Sequence, residues 1–276
     1  MSRPLPSSLI AVSFSTRKTM MPVTMVEQSV AAAGVDGLDI DATSSVSAWL
    51  AGRLGNLDAN SIPVRSVWIP AEEIDFPRSQ RILQALIDRQ LVPSPLVVAM
   101  LPNVTTPRDL ARAFDPRCLV SQRWPVALGL PSAALRGGRP HLVQLGVIRR
   151  FAEEWDFSVA VDLSGNFDPT WEAEAAIARL GDRLGILRIT AAAPSRGAVG
   201  RDRVACRALH AAIDRDRKLE IAVTPVKSVP FPITPRVASL GVRRAMDYIT
   251  ERAAVHAQAL REGIGRFEGS PTSHGN

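Results

Sequence analysis

Cysteine is scarce in this chain of 276 residues, which contains only Cys118 and Cys206. The two lie far apart and form no C-x-x-C pair, so neither a disulfide framework nor a zinc knuckle is expected. Unpaired cysteines of this kind are typical of proteins in a reducing compartment, and we predict a cytoplasmic protein.

Long apolar runs are also missing from the sequence. No stretch reaches the ~18 consecutive apolar residues that cross a membrane. The first residues contain Arg3, Pro4 and Pro6, with no clean apolar run followed by a cleavage site. We therefore expect neither a targeting segment nor a membrane partner.

Lysine occurs at only three positions, Lys18, Lys218 and Lys227, although lysine and arginine together number 33 against 27 aspartates and glutamates. The net charge is +6 and the pI is about 10.3, a balance that nucleic-acid-binding proteins also show. Here the basic residues are interspersed with acidic ones and form no block. The charge therefore indicates an arginine-rich composition and argues against a nucleic-acid partner.

Eight short apolar runs recur along the chain, and their starts lie 28, 27, 32, 30, 31, 29 and 33 residues apart. A strand, a helix and two short loops occupy roughly thirty residues. The pattern predicts a single (β/α)8 TIM barrel over residues 1–262, followed by a disordered polar tail at 263–276. An open doubly wound sheet is the alternative, but it requires a glycine-rich phosphate loop that the sequence lacks. The predicted strands are Leu9–Phe14, Gly37–Asp41, Val64–Ile69, Leu96–Met100, Val126–Leu130, Phe157–Asp162, Ile186–Thr190 and Leu219–Thr224.

Helical periodicity between these runs predicts the helices of the barrel. Further helix starts are indicated by Thr106-Pro107 and Asp168-Pro169. The loops that follow the strands should lie at one face, where barrel enzymes place their chemistry. The predicted helices are Pro22–Ala33, the weaker Ser44–Asn60, Pro77–Gln90, His141–Trp155, Trp171–Leu184, Arg203–Asp214 and Val237–His256.

Alternation along the strands predicts which side chains point into the barrel. The large branched residues face the helices, which leaves a small and polar interior, while the register of strand four stays open. The predicted inward set is Ala11, Ser13, Ser15, Asp39, Asp41, Ser66, Trp68, Ala127, Gly129, Ala160, Asp162, Ser164, Arg188, Thr190, Glu220, Ala222 and Thr224.

The charged members of this set fall into two groups. Arg188 and Asp162 are on neighbouring strands and should be able to pair, and Glu220 could join them in a structural ion network. Asp162 also ends its strand at the face where barrel chemistry takes place. Asp39 and Asp41 share the inward face of strand two at the mouth. There they could hold a cation, orient sugar hydroxyls, raise each other's pKa, or serve only loop structure.

Three segments carry recognisable patterns: Ile10–Ser15 followed by Val30–Asp39, Val159–Gly165, and Ala178–Leu184. They resemble, in that order, the first βαβ unit, the strand-six Asp-x-x-His motif and the helix-to-strand-seven junction of the xylose isomerase-like superfamily. That superfamily includes sugar phosphate isomerases and epimerases. The resemblance implies a (β/α)8 fold with a sugar-type ligand at the barrel mouth.

The resemblance also implies a divalent metal, held by a glutamate ending strand five, an aspartate and a histidine of strands six and seven, and a glutamate ending strand eight. Asp162 matches the aspartate of that set. Gly129, Gly165 and Thr224 stand where other members of the pattern would be, and strand seven carries Arg188. We therefore expect no metal at this site and no other cofactor.

Three functions stay open. The chain is a barrel that binds a small sugar, sugar phosphate or sugar acid without the metal, an isomerase-, epimerase- or lyase-type enzyme with a relocated site, or a non-catalytic subunit or scaffold. Assembly into a homo-oligomer is also left open. The candidate catalytic residues are Asp39, Asp41, Asp162 and Lys227, and the candidate substrate-binding residues are Lys18, Trp68, Glu72, Arg188, Arg196 and Arg201.

The loops that follow strands seven and eight are a candidate binding site for an anion. Arg196 and Arg201 follow strand seven, and Lys227 follows strand eight, the two loops that form the phosphate site in many barrels. Gly197 and Gly200 would let the backbone approach a ligand. The alternative is a flexible, solvated arginine loop.

Overall fold

The computed structural model of the chain describes residues 9–15, 37–41, 64–88, 95–102, 106–130, 139–162, 173–190 and 220–224. Some predicted features lie outside these residues. They are the helices at 22–33, 44–60, 203–214 and 237–256, the helix start at 168–169 and the tail at 263–276.

Eight parallel strands close into a barrel, and each pairs with its neighbours in chain order, so that β8 returns to β1. The predicted TIM barrel is therefore confirmed, and the predicted strand bounds agree with the observed ones to within two residues. All strands end at the same face, because they are parallel in one closed sheet. The strands are β1 Leu9–Ser15, β2 Gly37–Asp41, β3 Val64–Pro70, β4 Leu96–Met100, β5 Val126–Leu130, β6 Ser158–Asp162, β7 Leu184–Thr190 and β8 Glu220–Thr224.

In the described part of the chain, helices follow β3, β4, β5 and β6. The helices are α1 Pro77–Asp88, α2 Pro107–Ala113, α3 Leu119–Arg123, α4 Arg139–Glu154 and α5 Ala173–Leu180, with short 3-10 turns at Ala71–Glu73 and Gly181–Arg183. The predicted helix Trp171–Leu184 is wrong at its C-terminal end, because α5 ends at Leu180. Gly181 has a φ of 56°, a left-handed conformation that commonly ends helices. Leu184 instead begins β7.

The start of α2 shows how the local sequence sets a helix boundary. The Thr106 hydroxyl accepts a hydrogen bond from the Asp109 backbone N–H at 3.2 Å, and the Asp109 carboxylate accepts one from the Thr106 N–H at 2.9 Å. This reciprocal capping box satisfies donors that have no partner within the helix. Pro107 follows at the first helical position, where its fixed φ favours the helix and no N–H is lost.

The larger apolar core lies between the outer surface of the barrel and the helices. Phe114 and Phe157 meet there edge to face, with ring centroids 5.7 Å apart. Complete burial of each aliphatic side chain is worth roughly 1.5–3 kcal/mol, so this layer holds the helices against the strands. No helix within the described ranges combines the length and apolar character that a membrane span requires. The core includes Val67, Ile69, Leu83, Val97, Ala99, Leu110, Leu128, Leu145, Ile148, Val159, Val161, Ile177, Leu180 and Leu187.

Candidate functional site

The interior of the barrel is packed rather than open. A fully buried cluster is formed by Trp68, Val98, Ala127, Ala160 and Ile186, one residue from each of β3 to β7. The inward orientation predicted for three of these side chains is therefore found. Strand β4, whose register the sequence left open, turns Val98 inward, and Leu96 and Met100 pack against the same cluster.

Asp39 of β2 is bonded to three side chains inside the barrel, one of which is Trp68 of this cluster. Its Oδ2 accepts hydrogen bonds from Arg188 Nη2 at 2.7 Å and from Arg188 Nε at 3.1 Å. Its Oδ1 accepts hydrogen bonds from Ser66 Oγ and from Trp68 Nε1. Both oxygens are thus bonded to donors, as a carboxylate with 0% exposure requires.

Arg188 reaches Asp39 across the barrel. Strand β7 is separated from β2 by β8 and β1, so the two side chains meet only through the interior. The guanidinium carbon lies 3.5 Å from the centroid of the Trp68 ring. Arg188 Nη1 lies 3.5 Å from Asp162 Oδ2 on the neighbouring strand, which is the predicted ion pair at a longer distance than the Asp39 contact. The guanidinium is therefore enclosed by two carboxylates and an indole.

Asp162 is buried like the rest of this group, but it is the most exposed of its charged members. It ends β6 at the carboxyl-end face, and its side chain is 12% exposed, compared with 2% for Arg188 and 0% for Asp39. Counted over these three residues, one cation and two carboxylates give a formal charge of −1. The group therefore has a net negative charge, and Asp162 is its most exposed carboxylate.

Four of the ten sequence-predicted site residues meet in this group: Asp39, Trp68, Asp162 and Arg188. Asp39 lies deeper than the mouth position that the sequence suggested, because the Trp68 and Arg188 side chains bond to its carboxylate and solvent does not reach it.

Of the other six predicted residues, Glu72 has a described side chain, and it lies outside the group. Glu72 is exposed on the 3-10 turn that follows β3, and Asp41 ends β2 in register with Ser15 and Trp68. The side chains of Asp41 and of Glu220, a member of the predicted ion network, are not described. Lys18, Arg196, Arg201 and Lys227 lie outside the described residues, so their roles stay predictions.

Ser66 and the link between Arg188 and Asp39 were not predicted as parts of the site. Alternation did place Ser66 inward, two residues before Trp68. A small hydroxyl side chain that shares the interior with a buried carboxylate is a candidate hydrogen-bond donor to it, and this signal could have identified Ser66. The cross-barrel link has no such signal, since sequence spacing predicts partners on adjacent strands only.

The residues present do not fit the divalent metal that the resemblance implies. A Cβ added at Gly129 on the inner face of β5 would lie 2.6 Å from Met100 Sδ and 2.8 Å from Val98 Cγ1, so a ligand side chain has no room there. On β7, Arg188 contributes a cation where a ligand would be needed, and that cation pairs with Asp162. Within the described ranges, no three histidine, cysteine, aspartate or glutamate side chains lie close enough together to hold a metal ion.

Solved structures with the same fold include sugar epimerases. An L-ribulose 3-epimerase matches 98% of this chain and 100% of its own length at 14% identity and a TM-score of 0.52. D-psicose 3-epimerase of Clostridium cellulolyticum H10, solved with D-tagatose, matches 93% of this chain and 98% of its own at 14% identity and a TM-score of 0.53.

A xylose isomerase-like TIM barrel fused to a 4-hydroxyphenylpyruvate dioxygenase also matches, over 97% of this chain and 46% of the fusion protein, at 13% identity and a TM-score of 0.54. No protein-family model matches the chain, and no curated protein does. Identities this low establish the architecture and leave activity to be argued from the site. The protein is thus a (β/α)8 barrel, and it shares this fold with an L-ribulose 3-epimerase, a D-psicose 3-epimerase and a xylose isomerase-like TIM barrel.

Proposed function

We propose that this barrel binds a small sugar, sugar phosphate or sugar acid at its mouth, and that binding needs no divalent metal. The observation that carries the proposal is the placement of Asp162. It ends a barrel strand at the carboxyl-end face, its side chain is 12% exposed, and it is held by the buried Arg188 guanidinium. A carboxylate fixed in this way is a strong acceptor for the hydroxyl groups of a sugar.

The net negative charge of Asp39, Arg188 and Asp162 indicates which end of a ligand would bind next to them. A ligand carboxylate or phosphate directly above Asp162 would meet a like charge, which disfavours binding. A neutral polyhydroxylated end would instead donate hydrogen bonds to it. An anionic end of the ligand would then bind to the predicted Arg196, Arg201 and Lys227. Lys18 or Glu72 would contact the ligand at the edge of the mouth.

Any reaction at such a site would be of the isomerase, epimerase or lyase type and would move a proton rather than use a Lewis acid. Asp162 is the described group that could accept that proton. Asp39 would act by positioning Arg188, because it is completely buried. The fold-level likeness to a psicose epimerase solved with D-tagatose supports a sugar as the ligand class.

The experiment is a thermal-shift and calorimetric screen of protein treated with EDTA. The panel contains pentoses, hexoses, their phosphates and the matching sugar acids. We expect at least one member to stabilise the protein, and Asp162→Asn to weaken its binding by roughly tenfold or more, since a charged acceptor is lost. Glu153→Gln, on the outer surface of α4, is the matched control and should bind normally.

Circular dichroism of both variants checks that they are folded. Unchanged affinity in folded Asp162→Asn protein, or binding that requires an added divalent ion, would contradict the proposal.

A second candidate, a non-catalytic subunit or scaffold, is favoured by one specific observation. Both Asp39 oxygens are bonded to buried donors, and the Arg188 guanidinium lies against two carboxylates and an indole, as in a purely structural ion network. This candidate predicts that no member of the panel binds, although the wild-type protein is folded.

A further inference from the structure

The Arg188 guanidinium lies at a point where side chains from four strands meet. Asp39 comes from β2, Trp68 from β3 and Asp162 from β6, and Arg188 itself extends from β7. Arg188 contacts one carboxylate through Nε and Nη2 and the other through Nη1. The two carboxylates are thus joined through one cation in the interior.

Two carboxylates that share an enclosed interior repel each other and lose their hydration, so both remain charged only if a cation lies between them. In a metal-binding barrel a divalent ion can supply that charge. Here the space on β5 is closed by Met100 and Val98 against Gly129, and the donors needed for a metal are missing among the described residues. The charge must come from the chain itself.

We infer that Arg188 is the internal cation of this barrel, and that its guanidinium stands between Asp39 and Asp162 in place of a divalent metal ion. The planar guanidinium suits this place because its N–H groups point toward the carboxylates while its face stacks on Trp68. The inference concerns the charge below the mouth, and it holds whether or not a sugar binds above.

Chemical rescue tests the inference directly. Arg188→Ala removes the atoms of ethylguanidinium and leaves a cavity of that shape beside two carboxylates. We expect the variant to unfold about 10 °C below the wild type, since breaking a buried ion pair leaves uncompensated charge. Ethylguanidinium at ~10 mM should restore about 4 °C of this loss, as a ligand does that binds the folded state at about ten times its Kd.

Two compounds of similar size and one control variant show whether the rescue of the melting temperature depends on the charge and the planar N–H groups of ethylguanidinium. Ethylurea has nearly the same planar shape without the charge, and ethylammonium has the charge without the planar N–H array, so neither should restore the melting temperature. Arg149→Ala removes an exposed arginine of α4 that pairs with Glu153, and ethylguanidinium should leave this variant unchanged.

A double variant keeps the test decisive if Arg188→Ala does not fold. Arg188→Met with Asp39→Asn removes one charge of each sign, and it should be more stable than Arg188→Met alone. Equal rescue by ethylurea and ethylguanidinium, or strictly additive losses in the double variant, would overturn the inference. So would stabilisation of the wild type by manganese that disappears in Asp162→Asn.

Discussion

Arg188 and Trp68 stack on each other from opposite sides of the barrel, with the guanidinium carbon 3.5 Å from the centroid of the indole ring. β3 and β7 face each other in a ring of eight strands, so this one contact spans the interior. Trp68 is 0% and Arg188 is 2% exposed. The stacked pair is therefore closed to solvent, and Arg188 links it to Asp162, the more exposed carboxylate of the group.

Trp68→Phe should separate the two roles of this indole. Phenylalanine keeps an aromatic face for Arg188 but removes the N–H that donates to Asp39. We expect a loss of about 1–3 kcal/mol in the free energy of unfolding, because a buried carboxylate loses a donor. Urea denaturation measures this loss. Trp155→Phe is the control, since Trp155 is part-exposed and contacts Arg117 at 5.6 Å and the Phe151 ring at 6.4 Å. A loss there as large as in Trp68→Phe would refute the assignment.

Gly129→Ala and Gly146→Ala should change stability in opposite directions. An added Cβ at Gly129 would lie 2.6 Å from Met100 Sδ and 3.2 Å from the Met100 Cα, which overpacks the interior. We expect a loss of about 1–3 kcal/mol in the free energy of unfolding. At Gly146 in α4 the nearest atom would be Arg179 Nη2 at 3.5 Å, so alanine should stabilise by roughly 0.5–1 kcal/mol. Equilibrium unfolding checks both, and equal signs would contradict the packing described.

Asp75, in the loop after β3, should make stability depend on pH. Asp75 is an exposed residue, and partial desolvation of its carboxyl, followed by the charge of Asp115, raises its pKa above the ordinary value. Because the folded state favours the protonated form, the stabilisation present at low pH is lost as the pH rises through the raised pKa. Asp75→Asn mimics that form, so it should melt above the wild type at neutral pH, and the difference should shrink in acid.

Melting temperatures across the acidic range measure this difference. Asp115→Asn is the partner control, because removing its charge should reduce the gain from Asp75→Asn. A gain that is constant with pH would show that the Asp75 carboxyl does not titrate as described.

The fold was predictable from the sequence because each structural unit repeats a local pattern. The strands alternate with a period of two, and their thirty-residue spacing leaves room for one helix each. Strand β4 was the exception: Leu96–Met100 is apolar on both faces, so only packing against Trp68 and the space at Gly129 decides its register. The early end of α5 depends on the backbone conformation of Gly181, which hydrophobic periodicity does not register.

The candidate site was predictable in its membership and not in its connections. Alternation identified Asp39, Trp68, Asp162 and Arg188 as inward residues, and adjacency of β6 and β7 indicated the pair of Arg188 with Asp162. The shorter contact of Arg188 with Asp39 depends on the length of the arginine side chain and on the width of the closed barrel. Both quantities depend on the three-dimensional structure. Asp39, which was expected at the mouth, therefore proved to be a buried partner of Arg188.

Elemental analysis of the purified protein tests the central claim most directly, namely that the barrel interior uses Arg188 in place of a metal. The protein would be purified in buffer supplemented with manganese and zinc, desalted and measured beside Asp162→Ala. We predict far less than one metal ion per chain, with no difference between the two proteins, because Asp162 is paired with Arg188 and the β5 position is closed. Near-stoichiometric manganese or zinc that is lost in Asp162→Ala would contradict the account.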